Sequence, residues 1–170
     1  MPDPSAPALI EGLEALIGDP GAGLPEDVFL FLSRVTPLIN VDLLIRDEEG
    51  RALLTWREDP YYGPGWHIPG GIIRYKETFA DRIHAVARQE LGTEVSFEAT
   101  PLALNQVLHP SRKNRGHFIS LLFACRLLAP PTQAQWLQGP PRAGDWAWHA
   151  RCPEPLISVH EMYRKFLDPS

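Results

Sequence analysis

The chain has 170 residues, 44% hydrophobic and 22% charged, which fits one globular domain around one core. A formal net charge of -5 leaves no basic stripe for coating nucleic acid, although a single nucleotide needs only a few cations. Met1-Pro2-Asp3-Pro4 carries no basic region or long apolar run, and no stretch is apolar enough to span a bilayer. No nucleic-acid or membrane partner is therefore expected, and a cytoplasmic location is.

Taken in chain order, Leu9, Ile10, Leu13, Leu16 and Ile17 recur with helical spacing, and Gly18 followed by Pro20 ends the helix. A second helix is expected from Pro25, with Glu26 and Asp27 in its first turn, ending near Pro37. The period then changes to two. Ile39, Val41, Leu43 and Ile45 make an apolar face opposite Asn40, Asp42 and Arg46, the pattern of a half-buried strand. Residues 47–50 read as a turn, and residues 51–57 as the antiparallel return.

Residues 59–65 form a loop rich in Pro, Gly and Tyr, followed by Trp66 to Gly71 and a short extended piece at Ile72 and Ile73. A helix is expected over residues 78–91 with Gly92 at its C-cap. Residues 95–108 read as a strand, 109–116 as a polar basic loop, and 117–127 as a long alternating strand holding Cys125 in the core. Residues 130–144 are Pro-rich, with one helical turn near Gln133. A short strand at 145–149 and a terminal helix or helix pair over 153–167 complete the chain. The two cysteines, Cys125 and Cys152, have no metal or redox spacing and suit a reducing compartment. The order predicts an α/β fold, a mixed sheet flanked by helices.

Gly71, five residues, Glu77, then Arg88-Gln89-Glu90-Leu91-Gly92 resembles the Nudix box, G-x5-E-x7-R-E-U-x-E-E-x-G-U. Gly71, Glu77, Glu90 and Gly92 fit. Ala85, Val86 and Gln89 stand where the box has Arg, Glu and Glu, and Thr93 replaces the closing aliphatic residue. Glutamates at such spacing share a helix face and hold hard divalent cations beside phosphates. Here that face keeps one carboxylate, Glu90, and the amide of Gln89.

Beyond the box the chain is similar to the GDP-mannose mannosyl hydrolases. The residues that carry this are Pro25 to Val28, Thr36 to Leu38, Val41-Asp42, Gly50, Leu53-Leu54, Arg57, Gly65-Trp66 and Pro69 to Gly71. Downstream, His109, His117-Phe118, Trp148, Val159-His160 and Phe166 also match. The resemblance implies a single Nudix-type α/β/α sandwich over residues 25–168, with residues 1–24 as an N-terminal helical extension.

It also implies a nucleotide-sugar substrate. Water attacks the anomeric carbon, a nucleoside diphosphate leaves, and one Mg2+ (Mn2+ as the alternative) neutralises it. By position, Gly70 lends a carbonyl and Glu90 a carboxylate to that metal, with Gln89 as a further oxygen donor. Asp42 and Arg57 fall to the substrate, and Tyr61, in the loop before the box, either stacks on a nucleobase or packs in the core. The subfamily's arginine after the glycine pair is Ile72 here, and its loop Gln-His pair falls on Arg142-Ala143. Gln138 or Asp145 is left as a replacement ligand, and His109 or His117 as the base.

Each residue also has a bland reading. Glu77 is a helix-start acid or an organiser of the catalytic site, Asp42 a surface acid, and Arg57 an edge cap. His109 and His117 are strand-end histidines, and the run Arg112 to Arg115 is a solvated loop or an electrostatic funnel. Attack at phosphorus and a non-catalytic nucleotide-sugar-binding module are the competing functions. The apolar N-terminal helix and the resemblance together lead us to expect a homodimer.

Overall fold

A computed structural model of the chain describes residues 5–58 and 61–168. Asp59 and Pro60, at the start of the expected 59–65 loop, and Met1 to Pro4 lie outside the described residues. Helix α1 (Ala6–Ile17) ends where Gly18, at φ 63°, donates its N–H to the Glu14 carbonyl. Helix α2 (Glu26–Leu32) ends five residues before Pro37, because the Ser33 hydroxyl and a series of turn hydrogen bonds take over the last carbonyls.

Among the described residues eight strands follow: β1 (Leu38–Ile45), β2 (Ala52–Arg57), β3 (Gly65–His67), β4 (Gly70–Ile72), β5 (Val95–Phe97), β6 (Ala103–Leu108), β7 (His117–Leu127) and β8 (Trp146–His149). They form two sheets. The larger runs β4-β1-β7-β5, with β6 also paired to β7, and the smaller runs β3-β2-β8. β1 and β7 are parallel, whereas β4, β5 and β6 are antiparallel to their partners, so the larger sheet is mixed.

Three expectations need correction. β2 is not the return strand of β1: a single bridge at Arg46 and Ala52 starts the hairpin, after which β2 leaves for the other sheet. The reason is competition for the edges of β1, which are already taken by β4 and β7. Nor is β1 half-buried, because helical elements cover both faces of its sheet. Val41, Leu43 and Ile45 enter one apolar cluster and Leu44 the other, and Asp42 is also buried. The expected strand at 95–108 is two strands, β5 and β6, which share one edge of β7.

Helix α3 (Phe79–Val86) opens with a capping box. The Thr78 hydroxyl accepts from the Asp81 N–H at 3.1 Å, and the Asp81 carboxylate accepts from the Thr78 N–H at 3.1 Å. The expected helix to residue 91 continues as a π-helical turn (Ala87–Leu91), closed by Gly92 at φ 63°. A side chain at Gly92 would collide with Thr132, whose N–H bonds the Leu91 carbonyl, so glycine is required twice over. The chain ends in a 3-10 segment (Ser158–Tyr163) and helix α4 (Arg164–Leu167).

Ile83, Val86, Ala87 and Leu91 pack on one face of the larger sheet, against Val41, Leu43 and Phe123. Tyr163 and Leu167 pack on the other, with Leu44, Leu122 and Ile68. That is the α/β/α layering expected. Cys125 lies in the first cluster, and burial pushes its thiol up to about 12, the inert core thiol its strand pattern predicts. Helix α1 buries none of its residues and borders an apolar groove of about 680 Å3 with Phe29, Leu32, Leu38 and Ile73. No helix among the described residues is long and apolar enough to cross a membrane.

Candidate active site

The π-helical turn carries Glu90 to the edge of β4. There one carboxylate oxygen accepts from the Gly70 N–H at 3.1 Å. The other accepts from the Thr55 hydroxyl at 3.3 Å and lies 3.4 Å from Nε2 of His67. Thr55 and His67 are cross-strand partners on β2 and β3, with 3.2 Å from the hydroxyl to Nε2. Both are buried, so the Glu90 carboxylate is the polar end of a Thr-His pair set into the smaller sheet. It faces a cleft of about 370 Å3 that Arg57, Glu58, Gln89, Gln135 and Ala143 also line.

On the other side of Gly70 lies Asp42, 1% exposed. It accepts from Asn40 Nδ2 at 2.6 Å, from the Tyr163 hydroxyl at 2.7 Å, and from the Ser120 hydroxyl. Burial pushes its carboxyl up to about 6, against the pull of those donors. His160 Nε2 stands 3.8 Å from Asp42, and its Nδ1 accepts from the Ile68 N–H at 3.0 Å. Burial, together with His67 and Arg57, holds His160 well below its ordinary value, so this imidazole is neutral. Asn40, Asp42, Ser120 and His160 line a hollow of about 60 Å3 with Tyr62, Phe118 and Arg115, room for one or two hydroxyl groups.

Arg57, His67 and Gly70 line both the hollow and the cleft. Gly70 lets the two sides meet: a Cβ there would stand 2.3 Å from Asp42 Oδ1 and 2.9 Å from the Val41 carbonyl. The structure thus brings together Asp42, Arg57, Gly70, Gln89 and Glu90 of the residues predicted from sequence. It places the others elsewhere. Glu77 accepts from the Arg74 N–H and from Nε of buried Arg82, each at 2.8 Å, which locks the loop before α3. Arg82 stands one turn before Ala85, the position where the box has an arginine, on the same helix face.

His109 and His117 line neither the hollow nor the cleft. His117 bonds Gln106 across the strand pair at 3.1 Å. His109 packs against Tyr62 at 5.9 Å, and burial and Arg112 lower its pKa. Tyr61 likewise lines neither; Tyr62 does the lining instead. The basic loop is no solvated run. Arg112 stacks over Tyr62 at 4.4 Å, and Arg115 over Tyr61 at 4.9 Å and Phe29 at 5.8 Å.

Sequence reasoning passed over His67, Thr55 and Ser120, and used His160 only as a point of resemblance. Thr55 and His67 sit at polar positions of strands whose other face is apolar, the one signal available. Gln138 is exposed, and Asp145 caps its own turn by accepting from the Arg142 N–H at 2.9 Å. Of the segment from residue 130 to 144, Gln135 is the amide that lines the cleft.

The donor chemistry does not fit a resident metal ion. Glu90 is the only carboxylate that the π-helical turn contributes, and two protein donors and an imidazole already address its two oxygens. Val86, at the position of the box glutamate, is buried in the core. Among the described residues no three His, Cys, Asp or Glu side chains cluster as a metal site.

Comparison with known proteins matches the NUDIX domain over residues 36–151. The low-salt glycan biosynthesis protein Agl8 of Haloferax volcanii is 38% identical over 80 residues, 47% of this chain and 51% of that protein. The match thus spans about half the length of that curated relative. A MutT NUDIX hydrolase from Burkholderia pseudomallei superposes with a TM-score of 0.61 at 20% identity, covering 78% of this chain and 98% of that one. A UDP-X diphosphatase superposes with a TM-score of 0.55 at 20% identity, covering 94% and 73%. At such identities the two structures speak for the fold. With the family domain matching over more than half its length and the layered sheets to go with it, this chain belongs to the NUDIX family.

Proposed function

We propose that this protein hydrolyses a nucleoside-diphosphate sugar, GDP-mannose-like in class, releasing free sugar and an intact nucleoside diphosphate. The observation that carries the reading is the common wall of Arg57, His67 and Gly70 between a hydroxyl-lined hollow and an open cleft. A diphosphate lying against the Arg57 guanidinium would meet a charge-assisted donor at that junction. The hydroxyls of an attached sugar would meet Asp42, Asn40 and Ser120, a set of acceptors and donors suited to hydroxyl recognition. The glycan-biosynthesis name of the Haloferax relative supports the same substrate class, since glycans are built from activated sugars.

Nudix membership implies dependence on a divalent cation, often Mg2+, in general. Here the family helix offers one carboxylate, already in use, so the cation in our reading, Mg2+ or Mn2+, arrives paired with the substrate's diphosphate.

The test is a panel of nucleotide sugars turned over in 18O-water, with every product identified. Attack at the anomeric carbon puts the label in the free sugar and leaves the diphosphate unlabelled. Label in a nucleoside monophosphate or sugar phosphate would instead establish attack at phosphorus. Binding that raises the melting temperature without any turnover would make the protein a nucleotide-sugar-binding module.

A further inference from the structure

Resting on that reading, we infer that His67, held by Glu90 and Thr55, is the general base of the reaction. Three observations converge on it. His67 is the one imidazole that lines both the hollow and the cleft, so a ligand crossing from one to the other passes it. It is 7% exposed and its orientation is set by partners on two elements, Glu90 at 3.4 Å and Thr55 at 3.2 Å. The loop segment at Arg142 and Ala143, where the resemblance placed a base, reaches the cleft but brings no imidazole.

The geometry also says what Glu90 does. With Nε2–H directed at Glu90, Nδ1 keeps the lone pair, and the Thr55 hydroxyl stands 3.2 Å from the first nitrogen and 3.4 Å from the second. Water gives a proton to Nδ1 as its oxygen bonds to the anomeric carbon. The bond from that carbon to the diphosphate oxygen breaks, and its electron pair leaves with the nucleoside diphosphate. The imidazolium so formed faces the Glu90 carboxylate, which stabilises it. The carboxylate of the family's helix thus serves a histidine here. His160, 6.0 Å from His67 by ring centroids, already spends Nδ1 on the Ile68 N–H and is not an equivalent candidate.

The charged and titratable groups facing His67 are Glu90 from the π-helical turn, Asp42 from β1, Arg57 from β2 and His160 from the C-terminal segment.

The experiment compares wild type, His67→Gln and Glu90→Gln, with circular dichroism to establish the fold and calorimetry with GDP to establish nucleotide binding. We expect His67→Gln to lose roughly 10²- to 10⁴-fold in kcat at little change in KM, and to lose the acid limb of the pH profile. Glu90→Gln should lose part of kcat while keeping the fold and GDP binding. Mn2+ titrated alone, followed by electron paramagnetic resonance, should show no protein site in wild type. With GDP present its binding should be the same in wild type and Glu90→Gln.

A His67→Gln enzyme with more than a tenth of wild-type kcat, or a Mn2+ site that Glu90→Gln abolishes, overturns the assignment while leaving the hydrolase reading intact. Absence of turnover by wild type on the whole panel overturns both together.

Discussion

The buried pair of Asp42 and His160 makes a single residue's protonation visible in stability. The Asp42 carboxyl titrates near 6 in the fold, against an ordinary value of 3.8. Between those values the native state holds a proton that the unfolded chain has released, so this group's contribution falls as pH rises from about 4 to 6. That rise corresponds to about 3 kcal/mol. His160 slopes the other way: the native imidazole stays neutral while the unfolded one protonates below 6.5, so its contribution is lost as pH falls. In wild type the two slopes oppose each other. Asp42→Asn removes the first and leaves the second. Urea unfolding of both proteins from pH 7 to pH 4 should show the variant losing stability relative to wild type by about 3 kcal/mol. Parallel curves would mean that Asp42 ionises in the fold as it does in water.

At the scale of elements, the helix that carries the degenerate box is held by a relocated ion pair. Arg82 is 4% exposed, and the Glu77 side chain it contacts is 16% exposed. Removing one partner strands the other in a poorly hydrated site. Arg82→Ala is therefore expected to destabilise the fold by about 3 kcal/mol, measured by chemical denaturation. A loss under 1 kcal/mol would show that Glu77 finds water instead. The functional consequence is positional. Glu77 fixes the loop between β4 and α3 through the Arg74 N–H, and that loop leads back to Gly70. The π-helical turn is the second device: it brings Glu90 within 3.1 Å of the Gly70 N–H.

At the scale of the whole molecule, helix α1 is a surface that the described residues leave without packing of its own. Leu9, Ile10 and Leu16 on α1 are each more than half exposed, beside the groove that α1 shares with α2. We expect a second copy to cover this face in solution, in keeping with the homodimer expected from sequence. Light scattering should then report twice the 19.1 kDa of one chain. Leu9→Glu with Leu16→Glu should return it to a monomer with its fold intact. A monomeric wild type at micromolar concentration would end the idea.

How much of this was legible beforehand differs by feature. The helices, the turns at Gly18, Gly50 and Gly92, and the long strand β7 were readable because their signals are local: apolar period, helix caps and glycine at positive φ. The box glycine and Glu90 were readable because a motif needs only spacing. Pairing was not, because β2 leaves β1 only when distant strands β4 and β7 occupy both its edges. Asp42 seemed a polar-face residue for the same reason, since the segment that buries it, around Tyr163, lies far along the chain. His67 passed unnoticed because its partners come from a neighbouring strand and a helix end. Sequence by itself determined the elements and the family motif, which depend on neighbours in the chain. Only the tertiary structure decided which groups share a wall, because burial and hydrogen-bond partnership are properties of residues that meet across the fold.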